Sequence, residues 1–239
     1  MTRVDLRTSD LHRLLAPVIP HASTDKDAPN LCVVRLEALG GTLTAVATDM
    51  LCSLAATRHG PVDGLDDFTL TLRREDAVGA LRTFKHTKTN DPELSLVVDE
   101  MPVPTDAASQ MRLAIRIDSE TGTRLAYPDV TPAEPPRVLR QWRETLAGAV
   151  QARPVSRPAP VIVLSSWAAP RWAKAPGELR MFPGEALGDL VLVTAGDSFI
   201  GLWKPLSHLK GEPEDLLAES PWVKDLASVQ GLPVDEVSK

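Results

Sequence analysis

Between its proline clusters this chain repeats one order of elements, a strand, a short helix and then a run of strands, and that repetition restricts the fold more than any motif within it. The 21 prolines gather in MPVPT, YPDVTPAEPP and ARPVSRPAP, which separate the packed units. The first unit opens on alternation in VDLR. It continues into SDLHRLL, with Ser9 as the expected N-cap and Leu11, Leu14 and Leu15 on one helical face. LCVVRLEA and LTAVATDMLCSLAATR then read as two or three strands joined at LGGT. The second unit runs FTLTL as strand, RREDAVGALRTF as a helix with acids in its first turn, and ELSLVV and RLAIRI as strands of strict period two. A third begins near Val161 with VIVL, a short helix in SSWAAPRWAKA capped by Ser165 or Ser166, and strands in ELRMF, DLVLVT and SFIGLW. Before it lies an isolated amphipathic helix from about Arg137 to Val150, with Val138, Leu139, Trp142 and Leu146 on one side.

Composition narrows the function classes. With 43% apolar residues over 239 positions and a net charge of -6, the chain has ample material for a core. Its longest apolar runs fall far short of the ~20 residues of a membrane span, and MTRVDLRTSD lacks a signal-peptide core, so a cytoplasmic protein without membrane contact is expected. Cys32 and Cys52 lie in strand-like segments without CxxC spacing and read as buried, reduced thiols. The five histidines show no ligand spacing, and GPVDGLDD lacks the Lys and Ser/Thr of a phosphate loop, so neither metal nor cofactor is expected. Ser198 in AGDSF resembles the nucleophile turn of GDSL-type esterases, yet no Asp-x-x-His pair follows, and a hairpin at Ala195-Gly196-Asp197 explains it. SHLK at Ser207 to Lys210 lacks the companion motifs of penicillin-binding proteins. No catalytic residue is therefore expected.

Charge is unevenly placed. Taking the helices as residues 9–16, 73–88, 137–148 and 167–175, they hold eleven Lys or Arg against four acids, leaving fifteen bases and 28 acids elsewhere. Basic helices on an acidic protein suit contact with phosphates, which is independent of base sequence. The candidate phosphate-contacting residues are Arg13, Arg73, Arg74, Arg82, Lys85, Arg137, Arg140, Arg143, Arg171 and Lys174. Arg137, Arg140 and Arg143 recur every third residue, away from the apolar side of their helix.

At GGTLTAVATDMLCSLAATR, where a turn and a strand lead into a Thr-Asp step and a further small-residue strand, the chain resembles the DNA sliding clamps, most nearly the bacterial polymerase III beta clamp. LHRLLAPVIPHASTDKDAPNLCVVRLEA is similar to that family's first helix, DNA-proximal loop and second strand. AIRIDSETGTRLAYPDV resembles the end of a clamp domain, and ELRMFPGEALGDLVLVTAGDSFIGLWKP the closing strands of the last one. The likeness covers most of residues 2 to 205. It implies an α+β clamp-like fold with antiparallel sheets outside and helices on the inner face. The expected division is a clamp-like domain of two repeats over 1–130, an abbreviated second domain over 131–205, and a tail over 206–239 with two short helices in which Trp222 is either a packed anchor or a partner contact.

The resemblance further implies a processivity factor without chemistry of its own. It would encircle duplex DNA as a homo-oligomer, a trimer or a dimer, with a clamp loader as a possible partner, and tether a polymerase or repair protein in a groove among the last strands. The alternative is a clamp-fold interaction module that closes no ring and regulates replication proteins.

Overall fold

A computed structural model describes residues 2–104, 109–131, 135–151, 168–184 and 190–204. The first repeat comprises β1 (Thr2–Arg7), α1 (Thr8–Leu15), a 3-10 turn (Ile19–His21), β2 (Val33–Leu39), β3 (Thr42–Thr48) and β4 (Ser53–His59). The second comprises β5 (Phe68–Arg73), α2 (Arg74–Thr83), β6 (Glu93–Pro104), β7 (Ser109–Ser119) and β8 (Arg124–Pro128). Then come α3 (Arg137–Arg140), α4 (Trp142–Gln151), α5 (Ala169–Trp172), β9 (Leu179–Phe182), β10 (Val191–Ala195) and β11 (Phe199–Trp203).

The repeats exchange their first strands. β1 leaves its own repeat to pair with β6 in a sheet ordered β1-β6-β7-β8, while β5 pairs with β2 in one ordered β5-β2-β3-β4-β11-β10-β9. All of these pairings are antiparallel. The exchange is symmetric to the residue: Thr8 N–H donates to Pro92 O at 3.0 Å, and Arg74 N–H donates to Cys32 O at 2.8 Å. A strand swapped each way ties the two repeats into one body, because neither can bury its sheet face without the other.

The inner faces of both sheets enclose one core with α1, α2 and α5. Leu11, Leu14 and Leu15 of α1 are all at most 2% exposed, each burial being worth roughly 1.5–3 kcal/mol. The β2–β3 hairpin turns on Gly40 and Gly41, both at positive φ, which is the backbone a two-residue turn of matching twist demands. Gly201 in β11 has a different reason: a Cβ there would meet the Trp172 ring at 2.8 Å, so the missing side chain lets α5 lie flat on the sheet.

Several local expectations change. The N-cap of α1 is Arg7, with Ser9 inside the first turn, because Asp91 takes both the Ser9 backbone N–H and its hydroxyl. α2 stops at Thr83, where Phe84 turns extended to enter the core. The helix over 137–150 is interrupted at Gln141. Cys52 is buried, whereas Cys32 is only half-buried; both are free thiols. VIVL, the Ser165 or Ser166 cap and the tail with Trp222 lie outside the described residues.

Candidate nucleic-acid interface

The Thr-Asp step builds the β3–β4 turn. Asp49 Oδ1 accepts the backbone N–H groups of Leu51 (3.1 Å), Cys52 (3.0 Å) and Ser53 (2.9 Å), while Thr48 Oγ1 donates to Ser53 O at 2.7 Å. Arg171 of α5 reaches across to pair with Asp49 and to donate to Ser53 Oγ at 3.0 Å. Burial opposes ionisation of Asp49, but the donors from Cys52, Arg171 and Ser53 outweigh it and hold the carboxyl below its usual range. The same environment, burial first and then the Asp49 charge, pushes the Cys52 thiol up to about 11, so it stays protonated and inert. Arg171 thus serves as an internal brace between the third unit and the first.

On the core side of the seven-stranded sheet, α1 and α2 lie against each other and turn their outer faces away from it. Arg13 and Arg82 are exposed on this pair, Lys85 stands exposed just past the end of α2, and Lys174 is exposed just beyond α5. Arg13 is held loosely by Asp10 at 3.5 Å with its own side chain 74% exposed, which leaves it available to an external anion. Arg82, Lys85 and Lys174 have no ion pair among the described residues. At the C-terminal end of the helices His12 Nε2 lies 2.7 Å from Phe84 O, and its ring meets that of His86 at 4.7 Å, so two helix ends and two imidazoles adjoin the cations.

The four basic helices do not form one wall. Leu139, Trp142 and Leu146 of α3–α4 pack on Val33, Val46, Leu54, Ala56, Leu192 and Leu202, which point to the opposite face of the sheet from the α1–α2 side. Arg137, Arg140 and Arg143 are therefore separated from Arg13, Arg82 and Lys85 by the sheet itself. The reason is the strand pattern: this sheet carries apolar side chains on both faces and has to be covered on both. Arg143 moreover stacks on Trp142, 4.2 Å from the ring centroid, and pairs with buried Glu37, which also accepts the Trp142 indole N–H at 3.1 Å. Burial resists the Glu37 charge, yet Arg35 and Arg143 together keep its carboxyl below the normal range. Arg137 donates to Gln141 at 2.6 Å, and Arg140 is exposed on this outer side.

Arg73 and Arg74 belong to a third place. They line a groove of about 710 Å³ at the rim, between the loop from Ser23 to Cys32 and the start of α2. A second groove, of about 480 Å³, runs over the outer face between α4 and the β10–β11 hairpin, with Leu39 and Ile200 giving it apolar surface over the buried Trp142, beside Arg58, Arg143 and Asp197. The resemblance puts a groove among the last strands but assigns it no residues. The signal for them is the second set of apolar residues, Ile200 and Leu202, alternating with the core set Phe199, Gly201 and Trp203.

No protein-family model matches the sequence, and comparison with curated proteins finds no relative. Solved structures do match. The DNA polymerase III subunit beta of Pseudomonas aeruginosa superposes with a TM-score of 0.59 at 15% identity, covering 86% of this chain and 66% of that one. The beta subunit of Thermotoga maritima gives 0.60 at 13% identity over 88% and 66%, and the DNA polymerase sliding clamp of Bacillus subtilis gives 0.59 at 12% over 85% and 64%. The chain spans just under two thirds of the length of these neighbours. At this identity the likeness speaks for architecture, and together with the strand exchange and the paired helices it establishes that the protein has the α+β fold of the DNA sliding clamps.

Proposed function

We propose that this protein is a DNA processivity factor that performs no chemistry, surrounds duplex DNA as a homo-oligomer with its α1–α2 side inward, and tethers a polymerase or repair protein on its outer side. The observation that carries this reading is the exposed cationic set of Arg13 on α1, Arg82 on α2 and Lys85 just past its end, presented by a clamp fold on the side away from the sheets. Contacts from these residues go to phosphates and so allow sliding. Residues 1–130 and 131–205 act as two clamp-like units that share the seven-stranded sheet through the β4–β11 pairing, with 206–239 as a tail.

Ring closure uses the strand edge that the first repeat has filled and the second has not. β4 is covered by β11, whereas its counterpart β8 has β7 as its one partner among the described strands. An open edge of this kind is a template for a strand of another copy. On the outer side, the groove between α4 and the β10–β11 hairpin takes an extended client segment, apolar anchors on Leu39 and Ile200 with an acidic side chain toward Arg58.

A second reading, a clamp-fold module that closes no ring and regulates replication proteins, draws on one observation: α3–α4 covers the outer face instead of extending the inner wall. Retention on circular DNA before and after linearisation separates the two, alongside light scattering. Reversing Arg13 and Arg82 to Glu is expected to cut retention on the circle about 10-fold or more at about 150 mM salt, while Arg140→Glu leaves it unchanged. A monomer at all concentrations, or equal release from circle and linear DNA, removes encirclement and leaves the module.

A further inference from the structure

The two repeats differ in charge at the rim groove beside α2. At the start of α1 the protein supplies its own anion: Asp91 accepts the Ser9 N–H at 2.8 Å and the Ser9 hydroxyl at 2.6 Å. The matched backbone bonds of Thr8 to Pro92 and Arg74 to Cys32 place Leu31 at the position equivalent to Asp91, so no carboxylate arrives there. In its place is the groove of about 710 Å³, lined by Lys26, Arg73, Arg74 and Asn30. Arg74 Nε is wholly buried without a hydrogen-bond partner, and no carboxylate lies within ion-pair distance of the guanidinium among the described residues. An unpaired buried N–H on a cation is costly to leave so, whereas Arg35, Arg116, Arg143 and Arg171 are all ion-paired. Among the described residues the one acid on the lining is Glu75, which is 77% exposed and leans toward Arg73 at 3.7 Å.

We propose that this groove binds the phosphate of a nucleotide, free or within a nucleic-acid strand, with Arg74 as the inner contact and Lys26 and Arg73 at the entrance. The volume suits a nucleotide, and Val33, Val130 and Pro29 offer an apolar floor to the sugar and base. No aromatic residue among those described lines the groove, so base preference is expected to be weak. Arg suits the role because its planar fork meets two phosphate oxygens at once. The free-nucleotide arm needs no encirclement; the strand arm rests on the nucleic-acid reading above.

The test follows the Arg74 Nε–H resonance in the full chain during titration with thymidine, thymidine monophosphate and a 5′-phosphorylated oligothymidine. Saturable shifts are expected with the two phosphorylated probes, with a Kd on the order of 1 mM or tighter for the monophosphate, and none with thymidine. Arg74→Gln is expected to weaken binding about 10-fold with Arg74→Lys restoring part of it, both read by calorimetry on variants whose thermal unfolding matches the parent. An oligonucleotide binding about 10-fold tighter than the monophosphate assigns the strand as ligand, and equal affinities assign the nucleotide. Shifts that are equal for thymidine and its monophosphate, or absent for both phosphorylated probes, overturn the proposal. Circle retention of Arg74→Gln keeps the readings apart: lost phosphate binding with intact retention marks a separate rim site, and phosphate binding in a chain that never stays on circles sinks encirclement alone.

Discussion

The two sheets of the repeated unit share a plan and part company on the face turned from the core. Register equates Val33, Val46 and Ala56 of the seven-stranded sheet with Glu93, Asp118 and Arg124 of the four-stranded one. The first three lie under α3–α4; the last three are charged, and Asp118 accepts from Arg116 and Arg124 at 2.9 and 2.7 Å. The core faces stay apolar in both, as Leu36 against Leu96 and Ala45 against Ile117 show. A repeat can therefore hold its fold constant while one strand face decides whether a helix covers it or water does.

That contrast breaks first at Trp142. It is 8% exposed at the centre of the outer cluster, and Trp142→Ala is expected to cost about 3–5 kcal/mol, read as a lowered urea midpoint. A midpoint shift equivalent to less than about 1 kcal/mol once multiplied by the m-value would mean that α3–α4 adds little to the sheet. DNA retention of the variant, measured where it remains folded, is expected to match the parent because the sheet separates this cluster from α1 and α2.

Glu37 gives the next largest effect. Its counterpart across the repeat is Val97, so the carboxylate belongs to the helix-covered face alone. Glu37→Ala strands the Trp142 indole N–H and leaves Arg35 without its partner, an expected loss of about 2–3 kcal/mol, with Glu37→Gln recovering part by accepting the indole bond. Equal losses in the two variants would show that the indole bond contributes nothing.

The halves also differ in acid. His21, in the core under the seven-stranded sheet, packs its ring 4.4 Å from that of Trp172, and burial, with Arg171 adding to it, pushes its pKa from 6.5 down to about 3. The unfolded chain then binds a proton between those values that the folded chain refuses, so stability is full above about pH 6.5 and falls as pH drops, by at most about 1.4 kcal/mol per pH unit. His21→Phe should flatten that slope in urea titrations repeated across pH 4 to 7. An unchanged slope would mean that His21 does not cause it, since Asp49 and Glu37, whose values are lowered, lose their contribution only at more acidic pH.

The core was readable from sequence wherever one face alternates with another. The strict period of ELSLVV and RLAIRI marks a sheet with one wet side, and the strands follow from it, whereas the clamp likeness rests on the resemblance of GGTLTAVATDMLCSLAATR and its neighbours. The helix at 137–150 is expected on the inner wall, although CVV and VLV, apolar on successive residues, already ask for cover on both faces of the sheet. Counting basic residues per helix cannot detect this, since an amphipathic helix has the same pattern whichever sheet face receives it. The fates of Arg143 and Arg171 depend on Glu37 and Asp49, 106 and 122 residues away, and no local pattern carries pairings at that distance.

The smallest effect tests the wet face. Asp118 is held below the usual carboxylate range by Arg116 and Arg124, against a burial effect that opposes ionisation. Arg124 is 68% exposed, so solvent and salt screen its share of the attraction. Asp118→Asn keeps the shape and removes the charge, and the expected loss is within about 1 kcal/mol, shrinking further in about 1 M salt. Because a carboxyl with a lowered pKa stabilises only while ionised, the difference between parent and variant should vanish as pH falls below that pKa. A loss as large as that of Glu37→Ala would mean that the four-stranded sheet is covered in the assembled protein, with a second copy or a client supplying what α3–α4 supplies to its neighbour.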